Sequence, residues 1–236
     1  MPRFSIKEAL QFGWQTVRNK LGFFIGLSLV FTLASVVLTP LQTYFSDQPV
    51  VSMILAILSI ALALIVDLGF MKIMLNTYDK KPADFPDLFR SYDLSPRYFL
   101  CTVLYFLLIL IVALIPGVIA FRVFDIGEAA NDLGIIEILI IALLLLLPII
   151  YFSLKFYFFG YFIIDQEAGP IEALKRSAQL TKGQLWPLFL LFLAILGIIL
   201  LGFVALFVGL FVAYPVAILT TTYVYRKLLE TQEQDV

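Results

Sequence analysis

The sequence predicts an all-α, polytopic membrane protein with six transmembrane helices and three cytoplasmic interfacial amphipathic helices, both termini lying in the cytoplasm. Three observations carry this reading. Of 236 residues, 62% are hydrophobic and 14% charged, against about half and a quarter in soluble domains. The apolar residues fall in long runs, and residues 185–225 hold no charged side chain, too many for one span and enough for two. The construction also repeats: an amphipathic, basic stretch precedes paired apolar runs at the N-terminus, near the middle and after Gly169. The chain therefore reads as one membrane domain, 1–236, made of three such units.

The first interfacial helix covers 4–19. Ser5 and Glu8 stand in capping-box spacing. Ile6, Ala9, Leu10, Gly13, Trp14 and Val17 share one face, with Lys7, Gln11 and Arg18 opposite. Spans follow over 21–44 and 50–78, each long enough for a hydrocarbon core of roughly 30 Å. The second interfacial helix covers 84–93, with Asp84 as its N-cap. Ser95 and Pro96 then introduce the third span, 97–121, and Asp125, Glu128 and Asp132 make the next loop acidic. The fourth span, 135–164, is expected to break at Pro148 and carries Lys155.

The third interfacial helix, 170–182, starts at Gly169-Pro170 and ends at Gly183. Its apolar stripe is expected at Ile171, Leu174, Ala178 and Thr181. Aligning Glu8-Ala9-Leu10 with Glu172-Ala173-Leu174 superposes Gln15 on Gln179 and Arg18 on Lys182, a weak internal repeat. Spans at 185–203 and 207–226 close the domain. Lys and Arg cluster at the N-terminus, in Lys72–Arg97, in Lys175–Lys182 and at Arg226-Lys227. The positive-inside rule then puts both termini and all three amphipathic helices in the cytoplasm.

Composition also excludes chemistry. There is no histidine and one cysteine, Cys101. That leaves no imidazole base, no Cys/His metal site and no intrachain disulfide, so no catalytic residue, metal or cofactor is expected. A net charge of −1 gives no reason for a nucleic-acid partner. Asp67 and Lys155 are the candidate intramembrane pair. Each lies ten residues from the cytoplasmic end of its span, roughly 15 Å at helical rise. An unpaired charge at that depth costs several kcal/mol, so pairing is expected. Aromatic rings around Lys155 offer its ammonium a cation–π alternative. Lys7, Arg18, Lys175, Arg176 and Lys182 are the candidates for contact with lipid headgroups.

Ile115-Pro116-Gly117, a basic residue ten positions before Asp165, and the stretch Gly169–Gly183 with Trp186 resemble a family of prokaryotic integral membrane proteins. That family is related to the membrane domain of some glycerophosphoryl diester phosphodiesterases and includes uncharacterised stand-alone members. Arg122 is spaced from Pro116 as the family's arginine is, whereas Lys155 stands downstream. The resemblance implies a prokaryotic plasma-membrane protein and, without a phosphodiesterase domain here, no such activity. The expected function is non-enzymatic: binding membrane lipid at the inner leaflet, or scaffolding another membrane protein. The alternative is a small transporter for a lipid or solute using Asp67 and Lys155.

Overall fold

The structure, a computed structural model, describes residues 3–123, 134–205 and 208–234. Every regular element among them is helical. Helices α1 (Ile6–Asn19), α2 (Leu21–Val36), α3 (Thr39–Tyr44) and α4 (Pro49–Tyr78) form the first unit. The second comprises α5 (Asp87–Arg90), a 3-10 turn (Tyr92–Leu94), α6 (Ser95–Val123), α7 (Ile135–Lys155) and α8 (Phe159–Gln166). The third comprises α9 (Pro170–Leu180), α10 (Leu185–Val204) and α11 (Leu210–Gln234).

Five stretches are long and apolar enough to cross a membrane: Leu21–Tyr44, Pro49–Tyr78, Asp87–Val118, Leu139–Gln166 and Leu185–Val204. The stretch expected as a sixth span is not among them. It forms α11, whose apolar part ends at Tyr225, and whose Ala213, Val216, Leu219, Val224, Tyr225 and Leu228 are buried within the bundle. The loop acids Asp125, Glu128 and Asp132, and the side chains of Arg122 and Glu137, lie outside the described residues.

The bundle has a packed end and a bare end. Buried side chains such as Phe70, Phe158, Ile163 and Tyr225 gather where α4, α8 and α11 finish. The far stretches of α4, α6 and α7 instead display Ile57, Leu58, Ile111, Ile115, Leu139 and Leu143. Such a continuous apolar surface is suited to hydrocarbon rather than water. At 30 residues α4 is about 45 Å long, more than the roughly 30 Å of a bilayer core.

Each amphipathic segment docks on the last helix, or helix pair, of the preceding unit, and the third unit receives the segment of the first. Against α4, Gly69 lets the backbone of α5 approach until a Cβ there would overlap the Leu88 carbonyl. Against α11, a Cβ on Gly13 of α1 would lie 2.6 Å from Thr220 Oγ1 and 2.8 Å from the Val216 carbonyl. Against the α7–α8 junction, Ser177 of α9 accepts from the Phe158 N–H at 3.0 Å and donates to the Lys155 carbonyl at 3.3 Å. Thr181 donates to that carbonyl at 3.0 Å. The contacted positions Gly69, Lys155 and Val216 stand ten residues before Asp79, Asp165 and Arg226 respectively. Three docking sites thus share one offset, a repeat visible in packing though faint in sequence.

The docking revises four local expectations. The fourth span does not break at Pro148, which sits inside α7; the break falls between Lys155 and Phe159, where Ser177 and Thr181 satisfy the opened backbone groups. The buried face of α9 is Ala173, Ser177 and Leu180, while Ile171 is exposed. The middle amphipathic helix shrinks to the four residues of α5 plus a 3-10 turn. Its expected cap is reversed: Asp87 Oδ2 accepts the N–H of Asp84 at 3.0 Å. At α1 the Ser5 cap forms as expected, its hydroxyl accepting from the Glu8 N–H at 3.3 Å.

Candidate functional site

The offset that aligns the docking sites also aligns three charges. Asp79 at the end of α4, Asp165 in α8 and Arg226 in α11 converge at the packed end. Arg226 donates from Nε and Nη2 to Asp79 at 3.1 and 2.7 Å, and from Nη1 and Nη2 to Asp165 at 2.7 and 2.9 Å. One planar guanidinium thus spans both carboxylates, a fork that an ammonium cannot reproduce. All three side chains are between 17% and 19% exposed. Tyr225 donates to Asp165 at 3.1 Å, and Lys81 reaches Asp79 at 3.3 Å.

Two more cations pin the same corner. Lys72 donates to the Ile164 carbonyl at 3.5 Å, and Arg97 to that of Glu167 at 2.9 Å. Glu167 holds a left-handed φ of 51° at the end of α8. This knot was not singled out from the sequence, where each member reads as an ordinary charge at a span end. The shared position of Asp79, Asp165 and Arg226 at three unit ends was the available signal.

Asp67 and Lys155 do not pair. Asp67 Oδ2 accepts from the Tyr98 hydroxyl at 2.6 Å, and among the described residues no cation bridges it. Lys155 Nζ lies over the rings of Tyr151 and Phe152, at 5.5 and 5.8 Å from their centroids. The cation–π alternative therefore operates, with rings on the preceding turn rather than the following ones. The two helix ends are level, Asp79 and Asp165 sharing one guanidinium, so the pair is absent because each side chain takes a partner beside it. Tyr98 is the fourth residue of α6, so Asp67 is level with the start of that helix. Cys101 is buried, its thiol directed at the Pro170 carbonyl at 3.4 Å.

Of the headgroup candidates, Lys7, Arg18, Lys175 and Lys182 are exposed. Arg176 is engaged by Glu172 and Gln166. A different charged feature lies between α1, α10 and α11. There a cavity of about 820 Å³ is lined by Arg3, Tyr223 and Lys227 together with Trp186, Pro187 and Leu190. Glu8, which accepts from Tyr223 at 3.2 Å, also faces it. Arg3 is positioned by its own N–H, which donates to Gln184 Oε1 at 3.1 Å. The Glu230 carboxylate, 2.7 Å away, holds the Lys227 ammonium above its ordinary pKa, so this cation stays charged at neutral pH. Sequence reasoning missed this site because its cations come from opposite ends of the chain. Trp186, one residue into an apolar helix, was the visible hint.

A family model described as "Protein of unknown function (DUF975)" matches residues 1–232. Among curated proteins, uncharacterised proteins of Mycobacterium tuberculosis and Mycobacterium bovis are 34% identical over 86 residues. The match covers 36% of this chain and 26% of each relative, so the chain spans about a quarter of the length of the curated relatives it matches. No solved structure matches. These matches tie the chain to uncharacterised proteins and add no link to the phosphodiesterase membrane domain that Gly169–Gly183 resembles.

Proposed function

The chain belongs to that DUF975 family, and from this premise we propose that it is a non-enzymatic integral membrane protein that binds phospholipid at the inner leaflet of a prokaryotic plasma membrane. In this reading the packed end and both termini are cytoplasmic, and α11 is the sixth span, sheltered from lipid by its neighbours. The observation that carries the proposal is the cavity between α1, α10 and α11. It sets Arg3 and Lys227, with Glu8, beside the first turns of an apolar helix, a charged mouth on an apolar wall that suits a phospholipid headgroup attached to acyl chains. The partners are membrane lipids, with no nucleic acid.

Native mass spectrometry of the protein extracted with its surrounding membrane tests this. The wild-type chain is expected to retain an anionic phospholipid in defined stoichiometry, and Arg3→Glu with Lys227→Glu to lose it. Equal retention by both proteins rejects the site, and a stoichiometric second protein in place of lipid favours scaffolding instead. A second reading, transport, is supported by Asp67, an acid within an apolar helix that is held by the Tyr98 hydroxyl rather than by a cation among the described residues. It requires Asp67→Asn to abolish a flux while leaving the fold intact, and an unchanged flux eliminates it.

A further inference from the structure

We infer that the ligand is a glycerophospholipid lying along the faces of α1, α10 and α11, with its phosphate at the Arg3/Lys227 mouth and one acyl chain in a slot beside Trp14. This rests on the lipid-binding reading above and extends it to the tail. The same three helices that form the mouth enclose a second cavity of about 600 Å³ further along. Leu10 and Trp14 of α1 flank it, and Gly202, Ala205, Gly209 and Ala213 form its floor. The floor is low because the backbones of α10 and α11 meet there. A Cβ on Gly209 would lie 2.7 Å from the Gly202 carbonyl oxygen, and one on Gly202 2.9 Å from Ala213 Cβ. Among the described residues of the slot, Gln11 and the Trp14 indole alone carry a polar side-chain group.

The two cavities lie in sequence along α10, the mouth at Trp186 and the slot around Gly202. At 1.5 Å per residue their nearest lining residues on that helix, Leu190 and Ile198, are about 12 Å apart. A single leaflet contributes roughly 15 Å of hydrocarbon, so a chain that leaves the mouth is long enough to reach the slot. The gradient from charged mouth to apolar slot runs in one direction, as a phospholipid does. Both tryptophans of the protein border these cavities, Trp186 at the mouth (68% exposed) and Trp14 at the slot (51% exposed).

Those tryptophans supply the probe. The full chain in detergent is titrated with phosphatidylglycerol brominated on its acyl chain, using Trp186→Phe to isolate Trp14 and Trp14→Phe to isolate Trp186. Quenching of Trp14 is expected to saturate. Val212→Phe or Ala205→Phe, which fill the slot from positions that are not fully buried, should weaken apparent binding about tenfold through lost chain contacts. A wild-type melting temperature for these variants establishes that they are folded. Excess glycerol phosphate, a headgroup without a chain, should leave the quenching in place. Linear, unsaturating quenching that ignores both fillings overturns the slot, as does displacement by glycerol phosphate. If phospholipid is still retained through Arg3 and Lys227 in either case, the lipid-binding reading survives and only the tail assignment fails. If retention is lost too, both fail.

Discussion

Arg226→Leu is the most informative single change in this molecule. It removes one cation and strands two carboxylates at a site where each is less than a fifth exposed. Breaking a fully buried pair by deleting one partner costs about 3–5 kcal/mol. Residual exposure brings the expectation here to about 2–4 kcal/mol. The partners left behind are unequal. Asp79 keeps Lys81 at 3.3 Å, whereas Asp165 keeps the uncharged Tyr225 hydroxyl at 3.1 Å. In the Arg226→Leu background, Asp165→Asn should therefore recover more stability than Asp79→Asn. With Arg226 present, either single amide change should cost only about 1–2 kcal/mol, because the guanidinium retains its other carboxylate. The triple variant, which combines Asp79→Asn and Asp165→Asn with Arg226→Leu, should approach wild type, since it leaves no unpaired charge within the trio. Thermal unfolding of the purified protein in one detergent, followed by tryptophan fluorescence, ranks these variants. Arg226→Leu within experimental error of wild type, or equal rescue by the two amides, would refute the reasoning.

Three further outcomes follow from the docking geometry. Ser177→Ala combined with Thr181→Val leaves the Lys155 carbonyl and Phe158 N–H without these partners and should cost about 2–4 kcal/mol in the same assay; Gln179→Ala, on the exposed face of α9, should be near neutral. Gly69→Ala should abolish stable expression because its methyl group meets the Leu88 backbone, whereas Gly197→Ala, with nothing within 4 Å, should be neutral or gain up to about 1 kcal/mol from helix propensity. A double-mutant cycle on Asp67→Asn and Lys155→Leu should give a coupling energy near zero, within about 0.5 kcal/mol; a coupling above about 1 kcal/mol would restore the ion pair.

The apolar runs and span-end charges were legible because hydrophobicity and length decide them locally. Capping at Ser5 was equally local. What the sequence hid was identity at the contacts. Phasing α9 by its largest apolar residues selected Ile171, yet the inward face is Ala173 and Ser177. There a hydroxyl is needed to meet the opened backbone of another helix, and hydrophobicity scales rank that residue as outward. Pro148 was given the break because proline lacks a donor, but in α7 a run of apolar helix absorbs it while Ser177 and Thr181 stabilise the opening seven residues later. The Asp67–Lys155 expectation failed on direction rather than depth: Asp79 and Asp165 meet at Arg226, so the two helices end level, but Asp67 takes the Tyr98 hydroxyl and Lys155 the rings of its own preceding turn. Arg226, Asp79 and Asp165 were hard to see as a group because they lie far apart in the sequence, one at the end of each unit, and meet only when those ends come together.

The cyclic docking of the amphipathic segments has a consequence for biosynthesis. Two of the three contacts join segments that emerge from the ribosome close together, α5 with α4 and α9 with the α7–α8 junction. The third joins α1 to α11, whose contact residues Val216 and Thr220 are made about two hundred residues later. Translation at roughly 5–20 residues per second leaves α1 without its berth for about ten seconds or longer. During that interval the Gly13 face is open to the translocation machinery, to lipid and to any chaperone that recognises it. The N-terminal helix, first of the three segments to be synthesised, is thus the last of them to be seated.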